Sequence, residues 1–168
     1  MKGEHVPAVL SPHRLELAVV HPQIAPNTGN IARLCVATGT PLHLVRPLGF
    51  ILSDRQLKRS AMDYWPRLKL TLHDDLPAFL QWLGARRAWW FDSTGERLLF
   101  DISFADGDLL VFGSETRGLD PALLRERATQ TVCIPQAPGE RCLNLSTAAG
   151  IGLYAALARL PRHEGNPL

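Results

Sequence analysis

The chain has little cysteine, little net charge and no long apolar run. Cys35, Cys133 and Cys142 are its three cysteines, an odd number without a C-x-x-C spacing, which argues against a disulfide framework and a zinc site and fits a reducing compartment. No apolar run approaches the roughly 20 residues of a membrane span, and the first residues lack a basic region followed by an apolar signal core. A cytoplasmic protein with no metal and no membrane partner is expected. The 18 Lys and Arg oppose 16 Asp and Glu, leaving +2, far from the basicity of a nucleic-acid coat, so any RNA contact has to be local. Lysine is scarce, 3 against 15 arginines. Arg46, Arg55, Lys58, Arg59, Arg67 and Lys69 face only Asp54 and Asp63 within their stretch. Guanidinium groups pair bidentately with phosphate and stack on bases, which suits a polyanionic partner; an ordinary solvated face explains the same composition.

What is present reads as one α/β domain. At 168 residues and 46% hydrophobic content, the chain can bury roughly 70% of its unfolded surface in one core. Residues 1–14, with Pro7 and Pro12, lack a sustained period and read as a loose arm; 15–160 form the domain and 161–168 a tail. Short β-rich runs at Leu15 to Val20, Leu42 to Val45, Leu68 to Leu72, Ala88 to Phe91, Leu109 to Phe112 and Thr131 to Ile134 alternate with helical stretches. The helices expected are Asn30 to Thr38, Asp54 to Met62, Leu76 to Leu83, Pro121 to Arg125 and Asn144 to Leu160. This alternation predicts a mainly parallel sheet with helices on both faces. In the last helix, Gly150 and Gly152 cost about 0.5 to 1 kcal/mol each relative to Ala and need a packing reason. Either the helix's own sheet or a second copy of the chain supplies it.

Three polar segments follow apolar runs: PNTGNIAR (Pro26 to Arg33), GSETRGLD (Gly113 to Asp120) and PQAPGERCLNLS (Pro135 to Ser146). Ligands bind at the carboxyl ends of strands in an open α/β sheet, so the three can converge on one pocket. A helix opening at about Asn30 would set an Asn cap, backbone N–H groups and Arg33 at one helix end, a ready anion site; a plain turn with a cap accounts for the residues as well. The first segment is neither G-x-G-x-x-G nor G-x-x-x-x-G-K-[ST], which disfavours a dinucleotide or Walker-type cradle. Gly113 leaves room for a ligand to approach the backbone. Glu115 and Arg117 either serve a site or pair with each other at the surface, and Gly118 can take a positive-φ turn. Arg141, Cys142 and Asn144 stand at the mouth of the small-residue helix.

Together NTGNIARLC, FGSETRGL and IPQAPGERCLNLS resemble the three motifs of the SPOUT class of RNA methyltransferases. Within it, the short length and the run from Pro47 to Trp65 resemble the small tRNA wobble-nucleotide 2′-O-methyltransferases. The resemblance implies a sheet whose C-terminal part is threaded into a deep trefoil knot, which general topological rules disfavour, and a homodimer acting on tRNA. It implies S-adenosylmethionine as cofactor, held by Ser93, Thr94, Gly113, Ile134, Cys142 and Leu143, with Gly113 and Ile134 using backbone groups. For catalysis it points to Asn27, Arg33, Glu115 and Asn144, and the arginines and lysine at Arg46, Arg55, Lys58, Arg59, Arg117 and Arg141 would contact RNA. A guanidinium is a poor base at neutral pH, so Arg33 is read as a phosphate clamp that polarises the hydroxyl, oriented with the ribose by Glu115, Asn27 and Asn144; the base is left unassigned. Cys142 departs from the serine usual in the family. It either lines the cofactor pocket or acts as a methyl-accepting nucleophile, and the first is preferred because direct transfer needs no covalent intermediate. The alternatives are methylation of ribosomal RNA and a non-catalytic RNA-binding protein that keeps the knotted fold.

Overall fold

A computed structural model describes residues 10–52, 64–140 and 142–161. Among these, seven strands form one sheet: β1 Glu16–Val20, β2 Leu42–Val45, β3 Leu70–His73, β4 Ala88–Phe91, β5 Arg97–Leu98, β6 Leu109–Phe112 and β7 Thr131–Cys133. Their order is β3-β2-β1-β6-β4-β7-β5, and every pairing is parallel. The helices are α1 Ala25–Thr38, α2 Leu76–Leu83, α3 Pro121–Glu126 and α4 Leu145–Leu157. No helix among the described residues is long and apolar enough to cross a membrane.

Both sheet faces are buried, which is why the central strands read as continuous apolar runs rather than as alternations. Leu17 and Val19 of β1 pack with Ile31, Ala32 and Cys35 of α1 and Ala149, Leu153 and Ala156 of α4 on one face. Ala18 and Val20 point the other way, into a second core with Phe79, Leu83, Trp90 and Leu123 beneath α2 and α3. Side chains alternate along a strand, so a single run of five residues feeds both layers.

Several boundaries differ from the sequence expectation. Helix α1 opens at Ala25, not Asn30. Pro26 sits in its first turn, where a missing N–H costs nothing, and Ile24 is the cap, with no side-chain bond. Strand β3 is shifted to Leu70–His73, α4 ends at Leu157 with Asn144 as its cap, and the two-residue β5 was too short to leave a pattern. The expected helix over Asp54 to Met62 lies outside the described residues. His13 and Arg14, read as part of the loose arm, are fastened: the His13 ring meets the Thr38 carbonyl at 2.8 Å and Arg14 pairs with Asp106 at 2.9 Å.

The backbone approaches itself closely beside β4, β6 and β7. A Cβ at Gly113 would stand 2.1 Å from the Gly118 carbonyl carbon, and one at Gly95 would stand 2.7 Å from Val132 backbone. Gly113 is therefore small to admit the returning turn Ser114 to Gly118, closed by paired backbone bonds of 3.1 and 2.9 Å. The missing side chain thus serves the turn, and Gly113 also lines the cavity at the ends of these strands. Gly118 takes φ +64° in that turn, as its sequence context anticipated.

Candidate active site

Strands β4, β6 and β7 are neighbours in the order β6-β4-β7 and end side by side, so the residues that follow them share one space. A cavity of about 300 Å³ opens there. Phe91, Asp92 and Ser93 line it from the end of β4, Phe112 and Gly113 from β6, and Val132, Ile134 and Gln136 from β7. Cys142, Leu143, Asn144, Leu145 and Ala148 enter from the start of α4, and Ile24 and Asn27 from the start of α1. Phe91 and Phe112 stack with centroids 4.4 Å apart and form part of an apolar wall.

Hydrogen bonds tie the three polar segments together at this cavity. The Glu115 carboxylate accepts from the Gln23 N–H at 2.8 Å, the Ile24 N–H at 3.1 Å and the Asn27 amide Nδ2 at 3.1 Å. Asn27 is 6% exposed, and its Oδ1 accepts from Asn144 Nδ2 at 2.9 Å. Asn144 Oδ1 in turn caps α4, accepting from the Ser146 N–H at 2.9 Å and the Thr147 N–H at 3.4 Å. The buried Asn27 amide is thus partnered on both its nitrogen and its oxygen, Asn144 is exposed, and one carboxylate holds the entry to α1 through two otherwise orphaned backbone donors. Glu115 has its oxygens committed to three donors, which makes it a clamp rather than a free base. Among the described residues it forms no ion pair with Arg117.

The remaining residues singled out from sequence are spread more widely. Ser93, Gly113, Ile134, Cys142 and Leu143 line the cavity; Thr94 does not. Thr94 donates its N–H and hydroxyl to Asp92 Oδ1, at 2.9 and 2.7 Å, and lines a second cavity of about 610 Å³. That space shares Asp92, Ser93, Glu115, Gly118 and Cys142 with the first and adds Glu96, Arg117 and Arg125. Arg33 is an exposed residue of α1 beyond the cavity lining, its guanidinium 5.3 Å from the centre of the Tyr64 ring. Because α1 begins at Ala25, Arg33 lies about two turns in, not at the helix mouth, and among the described residues neither Glu115, Asn27 nor Asn144 orients it. Arg46 pairs with Asp74 at 3.0 Å, a partner outside the stretch in which its charge was counted. Arg55, Lys58, Arg59 and Arg141 lie outside the described residues. Among the described residues no group of His, Cys, Asp and Glu is disposed to hold a metal ion.

The cavity also contains residues outside the three motifs: Ile24, Phe91, Asp92, Val132 and Ala148. Phe91 and Asp92 stand at and just after the end of β4, the one signal that could have found them. S-adenosylmethionine fits this lining chemically. Its adenine is flat with apolar faces and suits the aromatic and aliphatic wall, and its positive sulfonium and ammonium suit a lining whose charged members, Asp92 and Glu115, are both acids.

Comparison with known proteins agrees over the length of the domain. The SpoU rRNA methylase family matches residues 14–154. A tRNA (cytidine(34)-2′-O)-methyltransferase of Methylovorus glucosotrophus is 44% identical over 143 residues, covering 84% of this chain and 92% of that protein. Its namesake in Escherichia coli K12 is 40% identical over 147 residues, covering 87% and 94%. A solved structure described as giving insight into 2-OH methylation of C/U34 on tRNA superposes with a TM-score of 0.85 at 44% identity, covering 89% of this chain and 97% of that one.

Proposed function

Because the chain belongs to the SpoU rRNA methylase family, we propose that it transfers the methyl group of S-adenosylmethionine to the ribose 2′-hydroxyl of nucleotide 34, cytidine or uridine, of tRNA. The observation that carries this reading is the bonded series Glu115, Asn27, Asn144, which spans sequence separations of 88 and 117 residues to join all three motifs at one cavity. The relatives that span nearly the same length are named for tRNA and for position 34, which favours tRNA over the ribosomal RNA of the family's description.

S-adenosylmethionine, when bound, would supply an electrophilic methyl group, the S–CH3 bond breaking to leave S-adenosylhomocysteine as a neutral thioether. The protein's contribution is alignment and exclusion of water, because opposite charges vanish in such a displacement. The aromatic wall and the backbone at Gly113 and Ile134 hold the adenosine portion. The Glu115 clamp fixes the α1 entry, and with it the position at which the ribose is presented. Arg33, exposed beyond the cavity, binds a phosphate of the RNA, with Arg46 and Arg117 extending the anionic track.

The assembly we infer is a knotted homodimer in the cytoplasm. The knot is carried by the family membership, and the close approach of Gly95 to the Val132 and Cys133 backbone fits it. On α4 a Cβ at Gly150 would meet nothing within 4 Å, and Ile151 and Tyr154 are exposed, which leaves a face for the second copy. The test is incubation of the purified protein with total RNA and tritiated cofactor, followed by mapping of the label. Methyl groups at ribose 34 of tRNA are expected; label in ribosomal RNA, or none in any RNA, would replace this reading with one of the alternatives.

A further inference from the structure

Asp92 is the residue at the cavity whose chemistry is left over. It follows β4 directly, and its N–H continues the sheet by donating to the Val132 carbonyl at 3.0 Å. One carboxylate oxygen, Oδ1, is engaged by the Thr94 N–H and hydroxyl. The other, Oδ2, receives no donor from the described residues, and a side chain at position 118 would close on it at 3.0 Å. Glu115 is the other charged member of the lining, and its oxygens are already taken by Gln23, Ile24 and Asn27. Among the described residues the cavity therefore offers one uncommitted carboxylate oxygen and no basic side chain.

Position sharpens this. Asp92, like Glu115, lines both this cavity and the adjoining one, which also carries Arg117 and Arg125, the boundary a ligand crosses if its ring lies against Phe91 and Phe112 and a charged arm extends outward. A half-buried carboxylate whose second oxygen lacks a donor favours a positively charged or hydrogen-bonding partner at that boundary. We propose that Asp92, through Oδ2, is a specificity-determining residue that receives the positive charge of the cofactor and so favours the cationic donor over neutral adenosine compounds. The inference rests on the reading of the cavity as a cofactor site.

Titration calorimetry with purified wild type and Asp92→Asn tests it without turnover. Asn keeps an oxygen for the Thr94 bonds and removes only the charge, and Asp92→Ser serves as a second neutral variant should Asn disturb folding. Three ligands are compared: S-adenosylmethionine, with sulfonium and ammonium; S-adenosylhomocysteine, with the ammonium alone; and methylthioadenosine, with neither. The expected result is a loss of about tenfold for S-adenosylmethionine in the variant, with methylthioadenosine changed by less than about twofold. Homocysteine-product binding that falls in parallel assigns the charge to the ammonium, and binding that is spared assigns it to the sulfonium. Equal losses for all three ligands, or no loss for any, would overturn the role. Wild type that binds none of them would instead remove the cofactor reading itself.

Discussion

At the residue scale, the site separates side chains that hold the fold from those left free to act. Asn144 both caps α4 and bonds Asn27, and each amide keeps a second N–H that makes no bond within the site among the described residues. Arg33 has no such commitment to the motifs: it rests over Tyr64 on the surface of α1. If it grips phosphate, Arg33→Lys keeps the charge but loses the fork geometry, and turnover should fall about tenfold or more while cofactor affinity is retained. Unchanged turnover in Arg33→Ala would exclude the role. Cys142 lines the cavity and is exposed, in contrast to Cys35, whose thiol burial pushes up to about 12 and leaves inert. Cys142→Ser should keep or raise activity, since a hydroxyl replaces a weaker donor of similar shape. Measured with the intact mass after exposure to cofactor alone, a dead variant and a methyl adduct on the wild-type thiol would make Cys142 a nucleophile after all.

At the element scale, two packing arrangements lead to measurable behaviour. Gly152 faces the Phe91 and Phe112 rings, where a Cβ would stand 3.0 to 3.1 Å from ring carbons. Its packing reason is the helix's own sheet, whereas Gly150 has open space beside it. Gly152→Leu should therefore destabilise the protein by about 1–3 kcal/mol or more, seen as a lower thermal midpoint, and shift the aromatic pair beside the cofactor cavity. A parallel midpoint in both proteins would mean the sheet relaxes. The second arrangement crosses β1, β2 and β3 on the opposite face. His43 bonds Glu16 at 2.8 Å and His73 at 3.1 Å, Arg86 reaches the other Glu16 oxygen at 3.2 Å, and Trp82 of α2 lies 4.3 Å from the His43 ring. Burial lowers the pKa of His43 below its ordinary 6.5, assisted by His73 and Arg86 and opposed by Glu16; His73 is lowered too, by burial and Arg86, against Asp74. Both rings then bind protons less readily folded than unfolded. Stability should be full above about pH 6.5 and decline as pH falls below it, because the unfolded chain takes up protons first. Thermal midpoints between pH 7.5 and 5 measure this, and His43→Gln should flatten the slope.

At the scale of the whole molecule, the assembly prediction belongs to α4: sedimentation should give twice the chain mass, and a fully active monomer would remove the dimer. The sequence by itself determined the alternation of elements, because each apolar strand had to be buried on both faces, and several boundaries followed to the residue, as in Leu42–Val45 and Leu76–Leu83. It also marked the three motif segments, whose Asn, Gly and Arg stand out against apolar runs. Local pattern could not locate the start of α1, because Ala25 and Pro26 look like turn residues until Glu115, distant in sequence, secures the Gln23 and Ile24 donors. Nor could it show that the space of the Gly113 side chain is taken by Gly118 and Leu119, since those atoms arrive only after the chain has turned back. Asp92 carried no motif; its importance arises only when the strand order sets β4 between β6 and β7 and leaves one carboxylate oxygen facing their common cavity. Residue type and spacing act along the chain and are legible there, whereas which donors are already satisfied depends on contacts between distant segments, and those exist only once the sheet has formed.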